Sequence, residues 1–508
     1  MDVDEFREFG KAAVDYIADY FQTIRDRPVL PSVHPGYLGE LLPKEPPQTG
    51  ESWQEVLQDV DRIIMPGLTH WHSPKFHAYY PTAHSFPAVV GEMMSAGFGC
   101  VGLNWVASPA YTELEVVMMN WLGKLLGLPE EFLNCSDGPG GGVIQVTLRF
   151  LLCLFWMTWE VDPTLKEADI KGKLVAYSSD QSNSSVEKSG LLGSMPMRLL
   201  PADKEGKHNQ CRLRGSTLRE AVEKDKADGL IPCCVVASLG TTGTCSIDEL
   251  EELGIVCKEN DIWLHVDAAY AGAALVCPEY RHLMKGVEYT DSFNFNPHKW
   301  FLTNSDCSAM WFRNTKDAEE AFKVKSTIQE EPQYEYEIEH WQIPNCRRFR
   351  ALKLWFVMRI YGVQGIQKHI RHQVGLAKYF EKLVRNDERY EVLISCLGVV
   401  CFRLKGEDQL TQKLLDRIAE RKKLFIMPYY IQSKLVIRFV ICSRLTERED
   451  IDYAWNEIIS LTPVTRKQLS NAPIQTVRRT LSLKNAGSIV NKGIVTDIND
   501  KIKVELFI

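Results

Sequence analysis

Short apolar segments that alternate with helical stretches between residues 80 and 315 constrain the fold of this chain most strongly. Segments rich in Val, Ile and Ala are typical of buried strands, and helical stretches between them predict βαβ units around a mostly parallel sheet. In such sheets, ligands bind at the carboxyl ends of the strands. The four clearest strand patterns are KLVAYSS (173–179), CCVVASLG (233–240), IWLHVDAAY (262–270) and SAMWF (308–312).

The segments on either side of this region follow other patterns. Residues 5–24 place apolar side chains on one helical face, and the proline-rich stretch 28–47 then interrupts regular structure. Such an arm either packs on another subunit or folds back as an intramolecular lid, and the pattern leaves both open. After a helix predicted at 347–362, the segments 399–406 and 434–443 predict two strands in an α+β setting. We therefore predict an N-terminal helical arm or dimerisation segment (1–80), a large domain (81–355), a small C-terminal domain (356–462) and a tail (463–508) with a composition typical of disorder.

Composition excludes several classes of protein. The formal net charge of -7 provides no basic surface for nucleic acid. The 14 cysteines include no C-x-x-C pair, and the charged start MDVDEFREFG is unlike a signal peptide. The most apolar run, 150–157, is too short to cross a bilayer. These features predict a cytoplasmic protein with reduced thiols and no membrane partner.

Three segments contain candidate catalytic groups, although each has an ordinary structural explanation when taken alone. A lysine among apolar aromatic residues, such as Lys299 in FNFNPHKWF, can be desolvated, which favours an amine fit for Schiff-base chemistry; alone, Lys299 is better explained as a surface residue that extends past Trp300. Asp267 ends a buried strand in WLHVDAAYAG and needs a cationic or hydrogen-bonding partner; alone, it is a structural carboxylate. The segment LGTTGTCS, with Thr241 and Thr242, is alone a polar turn. Together, the three segments describe a pyridoxal-phosphate site.

The chain resembles the group II pyridoxal-phosphate-dependent decarboxylases, which include the aromatic-L-amino-acid decarboxylases. The resemblance extends from about residue 5 to residue 460, through GLTHWHSP, HAYYPT, ELEVVMMNWL, SDGPGGGVIQ, VAYSSDQ, LGTTGTC, HVDAAYAG, NFNPHK and HWQIP-x-x-RRFRALK. It implies the aspartate-aminotransferase fold (fold type I), with a mostly parallel seven-stranded sheet, a helical N-terminal segment and a small α+β domain. It also implies a homodimer with its active site at the subunit interface.

The resemblance further implies which residues would bind the cofactor. Lys299 would hold pyridoxal phosphate as a Schiff base, and Asp267, supported by Thr242, would pair with the ring nitrogen. The remaining cofactor contacts would come from Ala269 under the ring and from Asn296 and His298 at the phosphate.

It also implies the residues for substrate binding and catalysis. The wall of an aromatic substrate pocket would comprise Trp71, Tyr79, Tyr80, Pro81 and Thr82. Lys299 and His298 would be catalytic, together with Asn183, which would also contact the substrate. No metal is implied, because His70-Trp71-His72 lacks further ligands and suits a pocket wall or the core.

Position 183 distinguishes two branches of this family. The decarboxylases resemble D-Q-x-H-S-S here, with a histidine stacked on the cofactor ring, whereas this chain has D-Q-S-N-S-S (180–185). After carbon dioxide leaves, protonation yields an amine; an imidazole can help deliver that proton near neutral pH, and an amide cannot. Without protonation, electrons can pass to dioxygen, and the products are aldehyde, ammonia and peroxide. Asn183 is therefore similar to the dihydroxyphenylacetaldehyde synthases, unless it merely fills the space and the amine still forms.

The chain also departs from the family pattern in three places. After Gln145 the family continues with G-S-A-S-E, where helix N-terminal amides bind the phosphate, but this chain has VTLRF (146–150) and an apolar stretch to residue 157. The segment 323–339 lacks the family's Y-L-K-H, whose tyrosine takes part in the final proton transfer, and Cys346 replaces a glycine. Loss of the loop tyrosine would weaken protonation, which is consistent with aldehyde formation or with a poorly active enzyme. Cys346 would add bulk near the pocket and affect substrate choice, and the family's phosphate-binding residues are not assigned in this chain.

Three functions follow from these observations. The first is conversion of L-dopa, or a related aromatic amino acid, to the aromatic acetaldehyde, CO2, NH3 and H2O2, with dioxygen as a reactant. The second is plain decarboxylation to a dopamine-like amine. The third is a poorly active relative that serves as a dimeric binding protein. Cofactor affinity separates the third from the others, and product identity separates the first from the second.

Overall fold

The N-terminal region is built from helices joined by extended segments. In the computed structural model, which describes residues 1–80, 83–145, 172–203, 211–322, 341, 347–441 and 443–462, these helices are α1 (Val3–Thr23), α2 (Tyr37–Leu41), α3 (Trp53–Asp59), α4 (Phe86–Phe98) and α5 (Pro109–Leu126). Asp2 and Glu5 form a capping box that fixes the start of α1. The apolar face of α1 is only partly covered, because Phe6 and Val14 are 65% and 46% exposed.

A seven-stranded sheet forms the centre of the fold, and its strand order is β1-β7-β6-β5-β4-β2-β3. Four neighbouring pairs are parallel, and β7 runs antiparallel to both of its neighbours. This mostly parallel sheet confirms the expected α/β class. Its strands are β1 (Gly141–Gln145), β2 (Leu174–Ser179), β3 (Met197–Leu200), β4 (Ile231–Ser238), β5 (Trp263–Asp267), β6 (Ser292–Phe295) and β7 (Ser308–Phe312).

Helices and 3₁₀ turns connect these strands. The helices are α6 (Ser184–Leu192), α7 (Gly215–Ala227), α8 (Leu250–Asn260), α9 (Pro297–Trp300) and α10 (Thr315–Phe322). Residues 271–276, 278–284 and 287–289 form 3₁₀ turns, as do residues 65–67 and 130–132, and residues 60–64 form a π-helical turn. Strands β4, β5 and β6 are buried along almost their whole length, which explains their continuous apolar sequences.

A four-stranded antiparallel sheet of order β10-β11-β9-β8 forms the C-terminal part of the fold. Helix α11 is longer than the predicted helix and continues through a kink at Gly362, where φ is 61° and ψ is 175°. It packs on α4 and α5 with one end and on β8, β9 and α13 with the other. These elements are β8 (Tyr390–Cys396), β9 (Val399–Leu404), β10 (Met427–Ile431), β11 (Lys434–Val440), α11 (Arg350–Arg385), α12 (Asp408–Arg421) and α13 (Arg448–Leu461).

Some sequence predictions concern segments that the structure does not describe. The apolar stretch 146–157, the loop 323–339 and the tail 463–508 lie outside the described residues. Residues Met1–Leu461 form one compact unit, and the boundaries predicted within it, at 80 and 355, stay predictions. No helix among the described residues is long and apolar enough to cross a membrane.

Candidate active site

Polar side chains gather where adjacent parallel strands of the large sheet end. Asp267, the last residue of β5, pairs in register with Ser238 of β4 on one side and Asn294 of β6 on the other. The segment after β6 turns directly into α9, which carries Lys299. The sheet order therefore brings together groups that are separated by more than fifty residues in the sequence.

The Asp267 carboxylate is half-buried and oriented by two amides. Its Oδ1 accepts hydrogen bonds from the Ala269 backbone N–H (3.0 Å) and from Asn294 Nδ2 (3.3 Å). Among the described residues, none donates a hydrogen bond to Oδ2. A carboxylate that is held in place and retains an open oxygen can bind a protonated ring nitrogen.

Lys299 lies beside a column of stacked aromatic rings. Its Nζ is 5.9 Å from the centroid of the Tyr80 ring. Tyr80 stacks on Tyr270 at 3.7 Å, and Tyr270 stacks on Trp300 at 4.8 Å. Trp300 is fully buried and Lys299 is half-buried. Lys299 is therefore not an exposed surface lysine that extends past Trp300.

His298 is held by the backbone of Cys307. Its Nδ1 lies 2.5 Å from the Cys307 carbonyl oxygen and 3.1 Å from the Cys307 amide nitrogen, so its tautomer selects one of the two hydrogen bonds. Burial lowers the pKa of His298 to about 4, and the ring is therefore neutral at pH 7. Asn296 is buried, and its Oδ1 accepts a hydrogen bond from Ser308 Oγ (2.7 Å). The proposed role of His298 and Asn296 at the phosphate stays a prediction.

Asn183 is the N-cap of α6 and is also bonded to a second loop. Its Oδ1 accepts a hydrogen bond from the Ser185 N–H (2.9 Å), and its Nδ2 donates one to Thr242 Oγ1 (2.8 Å). Thr242 thus contacts Asn183, whereas the hydrogen bonds to Asp267 come from Asn294 and Ala269.

The predicted substrate wall divides into two aromatic groups. Trp71 stacks on Tyr79 at 5.3 Å and on Phe76 at 4.8 Å, whereas Tyr80 belongs to the column beside Lys299. Tyr80 also donates a hydrogen bond from its hydroxyl to the Thr241 carbonyl (3.0 Å). Pro81, Thr82 and Cys346 lie outside the described residues.

Two residues of the site were missed in the sequence. Asn294 orients Asp267, and the alternation of Phe and Asn in FNFN (293–296), which sets Asn294 opposite in direction to its apolar neighbours, could have indicated it. Arg438 of β11 lies 4.6 Å from the Tyr80 centroid and donates hydrogen bonds to the carbonyls of Tyr79 (2.7 Å) and Gly243 (3.0 Å). No local pattern around Arg438 indicated these contacts.

Comparison with known proteins agrees with this geometry. Residues 35–405 match the family described as the pyridoxal-dependent decarboxylase conserved domain. The chain is 52% identical to 3,4-dihydroxyphenylacetaldehyde synthase of Aedes aegypti over 91% of this chain and 90% of that protein. It is 48% identical to aromatic-L-amino-acid decarboxylase of Manduca sexta over 98% of this chain and 100% of that protein.

A solved structure gives the same result for the fold. The TDC of Oryza sativa with PLP and tryptamine superposes with a TM-score of 0.87 at 33% identity, over 91% of this chain and 98% of that chain. The open carboxylate oxygen of Asp267 and the half-buried amine of Lys299 fit pyridoxal phosphate, which is the cofactor of this family. The chain belongs to the pyridoxal-dependent decarboxylase family.

Proposed function

We propose that the chain is an aromatic acetaldehyde synthase. Its reaction would convert L-dopa, or a related aromatic L-amino acid, together with dioxygen and water to the aromatic acetaldehyde, carbon dioxide, ammonia and hydrogen peroxide. The amino-acid carbon–carbon bond to the carboxylate breaks, the amine carbon is oxidised, and dioxygen takes up the two electrons as peroxide. The relative from Aedes aegypti, named for such a product, supports this choice.

Lys299 and Asp267 would bind the cofactor. Pyridoxal phosphate, when bound, supplies an electron sink for the electrons that remain on the substrate after carbon dioxide leaves. The Lys299 amine would hold it through a Schiff base, and Asp267 would keep its ring nitrogen protonated through the open Oδ2. Ala269, which is 6% exposed, leaves space for a flat ring because its side chain is a single methyl group.

Asn183 is the observation on which the aldehyde product depends. Its amide cannot release a proton near neutral pH, unlike the imidazole that a histidine would place there. The hydrogen bond from Nδ2 to Thr242 and the cap bond to Ser185 also hold the amide in one orientation. The substrate carbon would therefore not be protonated quickly from this side, which leaves time for reaction with dioxygen.

The aromatic groups near Lys299 support an aromatic substrate. The Tyr80 ring, whose centroid lies 5.9 Å from Lys299 Nζ, would give a substrate ring an aromatic edge to pack against. Complete enclosure of the substrate would need the partner subunit of the proposed homodimer. The exposed apolar side chains on α1 and α4 support a dimer; they are Phe6, Val14, Val90, Met93 and Phe98.

Product identification tests this proposal. Purified protein is incubated with L-dopa and pyridoxal phosphate in air, and aldehyde, amine and peroxide are quantified. We expect aldehyde and peroxide in equal amounts. Amine without peroxide would instead support plain decarboxylation, and a protein that does not bind the cofactor would support the dimeric binding protein.

Substitution at position 183 sharpens the test. Asn183→His restores an imidazole, and we expect the amine-to-aldehyde ratio to rise by about 10², which is typical of one general acid. Ser184→His, at the exposed neighbouring position, is the matched control and should leave the ratio unchanged. An unchanged ratio in Asn183→His would remove Asn183 as the residue that selects the product.

A further inference from the structure

A small cavity away from Lys299 and Asp267 is lined by one guanidinium group and three imidazole rings. Its volume is about 10 Å³, which is room for one water-sized body. We call it the Arg444 cavity, and it is lined by Phe21, His72, His84, His369, Ser443 and Arg444, with three further residues. These residues come from α1, from the chain around residues 72 and 84, from α11 and from the loop after β11.

Arg444 carries a positive charge that the described part of the chain leaves uncompensated. Its guanidinium carbon lies 4.5 Å from the centroid of the Phe86 ring and 5.6 Å from that of Phe21. Its Nε and Nη2 are buried, and neither has a hydrogen-bond partner among the residues that the structure describes. Among the described residues, no carboxylate forms an ion pair with Arg444. Placing a guanidinium away from water without a counter-charge is unfavourable, so an anion in the cavity would stabilise it.

The three histidines of the cavity are neutral hydrogen-bond donors. Burial, with a smaller contribution from the Arg444 charge, lowers the pKa of His72 to about 4 and the pKa values of His84 and His369 to about 3. The His72 and His84 ring centroids are 4.7 Å apart, and His84 Nδ1 is buried without a hydrogen-bond partner in the described part of the chain. A neutral imidazole can turn an N–H towards an anion.

A metal cation does not fit this cavity. The guanidinium would repel a cation, and the described residues contain no group of three or more His, Cys, Asp or Glu side chains arranged to hold a metal ion. A large organic anion is excluded by the volume of the cavity. The remaining ligand class is a small anion.

We propose that the Arg444 cavity binds a monatomic anion of the size of chloride, between Arg444 and His84. The anion would accept hydrogen bonds from Arg444 Nε and Nη2 and from the His84 imidazole, and so would satisfy donors that have no partner among the described residues. It would also join three parts of the fold. Ser443 Oγ already donates to the His72 carbonyl (2.9 Å), and the Ala83 N–H donates to the His298 carbonyl. The site therefore lies directly behind the segment that leads to His298, and it is independent of the reaction's product.

Thermal unfolding of the holoenzyme tests the proposal. Chloride replaces gluconate, which is too large for the cavity, at constant ionic strength. We expect Tm to rise by roughly 2–4 °C and to saturate, because an anion that binds only the folded state stabilises it by mass action. Arg444→Met should lose this rise, whereas Arg448→Met, in which an exposed guanidinium over the Tyr379 ring is removed, should keep it.

Two further measurements decide the case if Arg444→Met does not fold. His84→Leu removes one proposed donor and should at least halve the chloride-dependent rise. A crystal of the full chain grown in bromide should show an anomalous peak between Arg444 and His84. Equal Tm values in chloride and gluconate, or a water or a carboxylate of a second copy in place of the anomalous peak, would overturn the proposal.

Discussion

The two sheets use buried polar side chains in different ways. At the strand ends of the large sheet, Asp267 is held by two amides on one oxygen and keeps the other open. Beside the small sheet, polar side chains bond to backbone carbonyls: Arg438 to Tyr79 and Gly243, and His77 to Val440. The first arrangement leaves hydrogen-bonding capacity for a molecule outside the chain, and the second connects parts of the chain. Substitutions should therefore separate activity from stability according to the sheet that they affect.

The largest effect is expected for Asp267→Asn, which should reduce kcat/KM by about 10²–10³ because an amide does not stabilise a ring cation as a carboxylate does. The free energy of unfolding should change little, since the asparagine Oδ1 can accept the same two hydrogen bonds. Steady-state kinetics and thermal unfolding of the apoprotein measure the two quantities. A large loss of stability with normal kcat/KM would break the comparison.

Arg438→Met should lower stability more than it lowers kcat/KM. It removes two charge-assisted hydrogen bonds to carbonyls from a residue that is 4% exposed, and the free energy of unfolding should fall by about 3 kcal/mol. Chemical denaturation measures the change. Arg385→Met, which removes an exposed pair with Glu381, is the control and should change stability by less than about 0.5 kcal/mol. Equal stability of the two variants would mean that Arg438 does not connect these loops energetically.

His77 makes the stability of the small-sheet region dependent on pH. Burial lowers the pKa of His77 from the ordinary 6.5 to about 4, so the unfolded chain binds this proton more readily than the folded chain. The stabilisation is therefore present above pH 6.5 and is lost as the pH falls towards 4. His77→Gln should reduce the loss of stability between pH 8 and pH 5 by about 2 kcal/mol.

Denaturation curves at the two pH values measure this difference. His282→Gln is the matched control, because the His282 side chain is exposed to solvent, and it should behave as the unmodified chain does. A loss in His77→Gln as large as in that control would contradict the prediction.

The smallest effect is expected for Asn183→Ala, because Asn183 lies in a loop and is held locally. Loss of the N-cap and of the bond to Thr242 should lower the free energy of unfolding by about 1 kcal/mol. Asn183→Ser keeps a capping oxygen and should recover most of that loss. A loss near the one expected for Arg438→Met would show that position 183 is structural, like the carbonyl-bonded residues of the small sheet.

Apolar runs made the strands of the large sheet predictable. Strands β2, β5 and β7 lie within the predicted segments, and β4 begins two residues before its predicted segment; buried strands were recognisable because they require continuous apolar sequence. Strand β3 was not recognised, since two of its four residues are exposed and its sequence, MRLL, is not distinctive. The kink at Gly362 explains why the predicted helix stopped there, although the helix itself continues to Arg385.

The candidate site was predictable only where a motif stood beside a strand. Asp267 ends a strand, and Lys299 and Asn183 each come a few residues after one, so their position at one sheet edge followed from the topology. Arg438 could not be found in this way, because it approaches from the small sheet and its partners are carbonyl oxygens, which every residue has. The partner of Thr242 was also unpredictable, since a side-chain hydrogen bond between two loops leaves no pattern in either segment.

The kink at Gly362 divides α11 into two straight segments that point in different directions. A straight helix of its 36 residues would be a single rod of about 54 Å. The kink divides it into a shorter arm fixed to the large sheet's helices and a longer arm fixed to the small sheet. Nothing in the described part of the chain lies within 4 Å of where a Cβ of residue 362 would be, so glycine is needed here for its backbone conformation and not for lack of space. Because that conformation is available almost only to glycine, a side chain at residue 362 would strain the junction between the arm on the large sheet's helices and the arm on the small sheet.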